Sequence, residues 1–178
     1  MHTSNFNKSW LRPLYNDIHT ACYQFTSLVG EMQWNFDRIL GVSRGGLLPA
    51  MIVSHMLKLP MTPISYSSKH GRGDNRNHAN ELPIVDGSTL LLIDDICDSG
   101  ETLREVRQHY LREGHAVYTF ALYYKHFTPP TFTPDFKWRT IPPDAGWVIF
   151  PYEVEGPWNT INDEDLNAPN AMNNKANV

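Results

Sequence analysis

Residues 90–102, Leu-Leu-Leu-Ile-Asp-Asp-Ile-Cys-Asp-Ser-Gly-Glu-Thr, constrain the fold more than any other stretch of this chain. A short apolar run ends in two adjacent carboxylates, Asp94 and Asp95, and a third acid follows at Asp98. Apolar runs of this length, bounded by turn-formers, suit a strand buried on both faces of a parallel sheet. Leu103, Val106, Tyr110 and Leu111 then recur at helical spacing over 101–112, so the acids lie between the carboxyl end of a strand and the amino end of a helix. In open α/β sheets that crevice is where ligands sit. Backbone amides at the helix start, with the Ser99 and Thr102 hydroxyls, suit a phosphate. Carboxylates at a strand tip suit sugar hydroxyls or a magnesium ion instead. Together the two ends describe a ribose 5-phosphate.

The rest of the chain supports one α/β domain built on a central parallel sheet flanked by helices. Its 178 residues, 41% hydrophobic, suffice for one sizeable core but not two. Ile18, Ala21, Cys22, Phe25, Leu28, Val29 and Met32 share one face of a first helix, with Asp17 as a cap near its start. Strands are predicted at 38–42, 61–66 and 116–124, the first followed by the tight loop Ser43-Arg44-Gly45-Gly46. A helix over 47–57 carries Pro49 in its first turn, where proline is tolerated. Asp86-Gly87 marks the turn into the central strand. Strand and helix alternate, which argues for parallel pairing. Ser67 to Glu81 has no apolar side chain larger than alanine, so a lid is expected over 67–82, with Lys69, Arg72 and Arg76 beside Gly71 and Gly73. Residues 127–153, rich in proline and aromatics, read as a small hood over the sheet's edge. The domain is expected to span 1–158, followed by a polar, Asn-rich tail over 159–178.

A net charge of −4 gives no reason to expect nucleic acid or an anionic membrane as a partner. No run of about 18 apolar residues exists to span a bilayer. Met1 to Ser9 lacks the apolar core of a signal peptide, and the two cysteines, Cys22 and Cys97, are not a disulfide framework. A cytoplasmic protein is expected. Cys97 lies in the key loop but reads as a small buried filler, and the eight histidines lack metal-ligand spacing.

The segment Ile93-Asp94-Asp95-Ile96-Cys97-Asp98-Ser99-Gly100-Glu101-Thr102 resembles the 5-phosphoribosyl 1-diphosphate (PRPP) loop of type I phosphoribosyltransferases. Ser43-Arg44-Gly45-Gly46 resembles the diphosphate-binding loop of the family's purine branch, where glycines let the backbone approach an anion and an arginine adds a charged fork. Ile141 to Glu153 is similar to the hood of bacterial xanthine–guanine phosphoribosyltransferases, with Trp147 in the place of the aromatic residue that covers the purine plane. The resemblance runs from about Tyr15 to Glu153.

It implies a purine phosphoribosyltransferase acting with magnesium. PRPP would meet Ser43, Arg44, Gly45, Asp94, Asp95, Asp98, Ser99, Gly100, Glu101 and Thr102, with Lys69 from the lid, and Asp94 and Asp95 would hold the metal. Lys125 would donate to the exocyclic oxygen of a 6-oxopurine, since an ammonium can only donate. Trp147 would stack on the base, while Asp144 or the Val148 carbonyl would accept from a 2-amino group. Asp98 would be the general base, with Arg44 and Lys125 beside it in the catalytic set. A homodimer or homotetramer is expected from the relatives. The alternative is a non-catalytic sensor of PRPP or nucleotide with the same fold.

Overall fold

The computed structural model describes residues 11–65 and 84–153. The predicted lid with Lys69, Arg72 and Arg76, and the tail, lie outside the described residues. Eight elements follow in the order α1 (Tyr15–Glu31), β1 (Arg38–Ser43), α2 (Leu47–Leu57), β2 (Met61–Ser65), β3 (Thr89–Cys97), α3 (Glu101–Arg112), β4 (Ala116–Lys125) and β5 (Phe136–Ile141). The five strands form one sheet in the order β2-β1-β3-β4-β5, and every pairing is parallel.

This order positions the site. From β1 the chain moves outward to β2, then returns to the other side of β1 as β3. The strand order reverses between β1 and β3, and at such a switch point the loops leaving the two carboxyl ends diverge and open a crevice. Those loops are 44–46 and 98–100, the two segments singled out by the sequence.

Side-chain alternation along the strands splits the core into two layers. Ile39, Leu91 and Ile93 face α1 and α2 with Ile18, Phe25 and Val53, and Leu40, Leu90 and Leu92 face α3 with Leu103, Val106 and Tyr110. Leu90 to Ile93 have no exposed surface. Each such side chain is worth roughly 1.5–3 kcal/mol of transfer free energy, which holds β3 at the centre of the sheet.

The helices begin and end close to expectation, with identifiable differences. In α1 the first turn contains Asp17, whose Oδ2 accepts the Leu14 N–H at 2.8 Å, so Asp17 acts from inside the helix rather than before it. Leu28 and Met32 are exposed. Leu28 sits at the edge of the apolar stripe, and Met32 lies just past the last helical residue. Leu111 is likewise exposed while Leu103, Val106 and Tyr110 face the sheet.

Part of the predicted hood belongs to the main sheet. Phe136–Ile141 is the edge strand β5, paired in parallel with β4 from Phe120↔Phe136 to Lys125↔Ile141. Its approach is fixed by Asp135, whose Oδ2 accepts from both the Thr119 N–H and the Thr119 hydroxyl at 2.8 Å. Beyond β5 the chain crosses to the amino-terminal segment. Leu11 pairs with Val148, donating to the Trp147 carbonyl at 3.1 Å and accepting from the Ile149 N–H at 2.9 Å. No described helix is long and apolar enough to cross a membrane.

Candidate active site

Strand β3 runs two residues past the acid pair, to Cys97, so Asp94 and Asp95 lie in the strand's last turns of pleat rather than in the loop. Asp95 is buried at 7% exposure and Asp94 is half-buried. The Asp95 N–H donates to Asp94 Oδ1 at 3.0 Å, and the two carboxyl groups also contact each other. Burial first, and the neighbouring Asp95 charge second, raise Asp94 well above the ordinary carboxylate range. Burial raises Asp95 too, opposed by a hydrogen bond from the Tyr152 hydroxyl. That hydroxyl lies 2.8 Å from Asp95 Oδ2 and 3.1 Å from the Gly45 carbonyl oxygen.

Loop 44–46 lies directly against these acids. A Cβ at Gly45 would fall 1.9 Å from Asp95 Oδ2, and one at Gly46 would fall 2.4 Å from the Ile93 carbonyl oxygen. The glycines therefore serve close packing of β1's loop on β3 as well as approach to an anion. Arg44 is exposed and the Ser43–Arg44 peptide is cis. Among the described residues, none accepts from the N–H groups of Gly45 or Gly46. At the start of α2, such amides without a partner among the described residues favour negative charge.

A second cradle forms where α3 begins. Gly100 takes a left-handed conformation, φ +77°, and its Cα faces Phe132 so closely that a Cβ would lie 2.6 Å from the Phe132 Cβ. Only glycine meets both demands without strain. The Glu101 N–H turns back to Ser99 Oγ at 3.3 Å, and no described group accepts from the N–H groups of Gly100, Thr102 or Leu103. Those amides make an anion site of the kind helix starts provide.

Lys125 is the last residue of β4, with its side chain only 9% exposed, and its Nζ donates to Asp98 Oδ2 at 3.1 Å. It is therefore not a surface lysine. Trp147 is 60% exposed, so it is not a core tryptophan, whereas Val148 as a whole residue is buried at 4%. The pairing with Leu11 uses the polar groups of Trp147 and Ile149, leaving those of Val148 unengaged by described residues. Asp144 is exposed in a turn before it.

Of the predicted site residues, the structure gathers Gly45, Asp94 and Asp95 in one contact set and Asp98 with Lys125 in another. Ser99, Gly100, Glu101 and Thr102 form the helix start between them in sequence. Two contributors escaped the sequence reading. Tyr152 sits in the Pro-Tyr-Glu run that ends the hood segment, and Phe132 closes on Gly100; neither carries a local signal, because each meets its partner only through the fold. Cys97, buried and 1% exposed, has its thiol pushed up to about 12 by burial and by the charges of Asp94 and Asp98, which removes it as a nucleophile.

The family model for the phosphoribosyl transferase domain matches residues 14–153. The chain belongs to the phosphoribosyltransferase family. It is 28% identical over 163 residues to a xanthine-guanine phosphoribosyltransferase of Ruegeria sp. (strain TM1040), covering 86% of this chain and 88% of that one. Among solved structures, it is similar to a purine phosphoribosyltransferase from Pyrococcus horikoshii, with a TM-score of 0.69, 23% identity, and 82% and 95% of the two chains covered. A xanthine-guanine-hypoxanthine phosphoribosyltransferase of Helicobacter pylori gives a TM-score of 0.68 at 21% identity with the same coverage. At these identities the solved structures bear on the fold alone.

Proposed function

We propose that this chain transfers the 5-phosphoribosyl group of PRPP to a 6-oxopurine (xanthine, guanine or hypoxanthine), releasing diphosphate and forming the nucleoside 5′-monophosphate, as in purine salvage. The observation that carries this reading is the Asp98–Lys125 pair, an ammonium and a carboxylate 3.1 Å apart at the carboxyl ends of adjacent strands. A 6-oxopurine presents its exocyclic oxygen and the nearer imidazole nitrogen side by side on one edge. Lys125 donates to the oxygen while Asp98 takes the proton from that nitrogen. Adenine would turn an amino group toward the ammonium, donor against donor.

The remaining roles follow from position. The amides of Gly100, Thr102 and Leu103, with the Ser99 and Thr102 hydroxyls, hold the 5-phosphate, beside Glu101. Asp94 and Asp95 face the ribose hydroxyls. Ser43, Arg44 and the amides of Gly45 and Gly46 receive the diphosphate; the resemblance adds Lys69, which lies outside the described residues. The free face of Trp147 stacks on the base, a contact worth roughly 1–3 kcal/mol and tolerant of different bases. The main chain of Val148, or Asp144, accepts from a 2-amino group. The other imidazole nitrogen bonds to the anomeric carbon as the bond to diphosphate breaks, and Asp98 keeps the released proton.

The acid pair also suits a divalent cation. Burial raises both carboxyl groups and the Asp95 charge raises Asp94 further, so a positive charge beside them is favoured. Among the described residues no cluster of three or more metal-ligating side chains exists, so Asp94 and Asp95 would hold magnesium together with substrate oxygens, the usual manner for this ion. When bound, it supplies charge neutralisation for the departing diphosphate. A cytoplasmic location suits two free, buried thiols. Assembly as a homodimer or homotetramer rests on the resemblance alone.

The test is an assay of diphosphate release from PRPP and magnesium with hypoxanthine, guanine, xanthine, adenine, uracil and orotate. Turnover is expected with the 6-oxopurines alone, and Asp98→Ala should lower it by about 10²–10⁴-fold with little loss of PRPP affinity. Silence with all six bases would overturn the enzymatic reading in favour of a sensor.

A further inference from the structure

The Tyr152 phenol joins two parts of the site that arrive from different strands. Its oxygen lies 2.8 Å from Asp95 Oδ2 on β3 and 3.1 Å from the carbonyl oxygen of Gly45 in the loop after β1. The ring is held in place by stacking on Phe150, centroids 5.3 Å apart and planes 6° apart. Tyr152 belongs to the same short segment as Trp147 and Val148, which the reading above assigns to the base.

We infer that Tyr152 is a positioning residue for the diphosphate end of the site, an inference that rests on the proposed phosphoribosyl transfer. Its one proton serves two acceptors, so a single hydroxyl fixes both the carboxylate and the loop. A trans peptide points the N–H of residue 46 opposite to the carbonyl of residue 45. By holding the Gly45 carbonyl, Tyr152 sets the direction of the Gly46 N–H, which no described group accepts. Two adjacent glycines offer little side-chain restraint of their own. Asp95, buried, keeps its orientation through the same hydroxyl. Both effects fall on PRPP; neither touches the Lys125–Asp98 edge that meets the purine.

Tyr152→Phe removes the oxygen and keeps the stacked ring, so the fold should hold. Tyr15→Phe is the control. The Tyr15 hydroxyl donates to the Pro151 carbonyl at 3.3 Å, supporting the same segment without touching the loop or the acid. Magnesium-PRPP is titrated calorimetrically into wild type and both variants at a temperature where all are folded, and steady-state constants are measured with the best 6-oxopurine. For Tyr152→Phe the Kd and KM for PRPP should rise about tenfold, as for one lost charge-assisted hydrogen bond, with the KM for the purine within about twofold of wild type. Tyr15→Phe should change neither. Unchanged PRPP affinity in Tyr152→Phe would overturn the inference, as would an equal loss of PRPP and purine affinity. An inactive wild type that still binds PRPP would sink the transfer reading instead, and the calorimetric comparison would still decide the role of Tyr152.

Discussion

Alanine at Gly46 and alanine at Gly45 differ by one position and should fail in different ways. At Gly46 the new methyl carbon would lie 2.4 Å from the Ile93 carbonyl oxygen, 2.9 Å from the Asp94 Cα and 2.9 Å from the Val42 carbonyl oxygen. All three are main-chain atoms of β1 and β3, so no rotamer change relieves the overlap. Overpacking relieved by side chains costs about 1–3 kcal/mol; relief that must move two central strands belongs at or above the top of that range. For a chain of this length about 3 kcal/mol corresponds to a fall in Tm of roughly 6–12 °C. At Gly45 the three atoms nearest the methyl all belong to the Asp95 carboxyl group, with Oδ2 at 1.9 Å. That group can swing aside, losing its contact with Tyr152, at a net cost of about 1 kcal/mol, or roughly 2–4 °C. The displaced acid and disturbed loop should nevertheless abolish binding of magnesium-PRPP. Thermal melts by circular dichroism and calorimetric titration of both variants separate the two outcomes. A Gly46→Ala protein as stable as wild type, or a Gly45→Ala protein less stable than Gly46→Ala, would falsify the reasoning.

Two further outcomes follow from burial. Cys22 and Cys97, 0% and 1% exposed, both have thiols pushed up to about 12 by burial. A chromogenic disulfide reagent at about pH 8 should leave both unmodified in the folded protein and label both after unfolding; rapid labelling of the native protein would contradict the placement of Cys97. Asp94, held well above the ordinary carboxylate range by burial and then by Asp95, keeps a proton in the folded state that the unfolded chain has released. The stability it contributes is whole below the unfolded value, about 4, and is lost as pH rises through the folded value. Without metal, wild type should therefore lose more stability than Asp94→Asn as pH is raised from about 4 toward neutrality; equal losses would count against the buried acid pair.

Much of the fold was legible because its signals are local. The apolar run 90–93 and the turn at Asp86-Gly87 mark β3, and Pro49 in a first turn marks α2. The edge strand β5 was not recovered, although Phe136 and Trp138 alternate with Lys137 and Arg139. Prolines on both sides obscured it, and its pairing depends on Asp135 reaching back to Thr119. For the site, the acids, the glycines and Lys125 were legible as residue types in order. Their partners were not: nothing near Asp95 in sequence points to Tyr152, and nothing near Asp98 shows that it pairs with Lys125. The glycines had a second reason that only packing reveals, since Gly45 and Gly46 leave room for Asp95 and Ile93 as well as for a ligand.

The Leu11–Val148 bridge carries a practical lesson for handling this protein. Residue 11 supplies the main-chain donor for the Trp147 carbonyl and the acceptor for the Ile149 N–H, so the segment leading into α1 is stitched to the strip flanking the exposed indole. Trimming through that point, or fusing a bulky domain tightly upstream, pulls on the wall expected to cover the base. An affinity handle belongs on a long spacer.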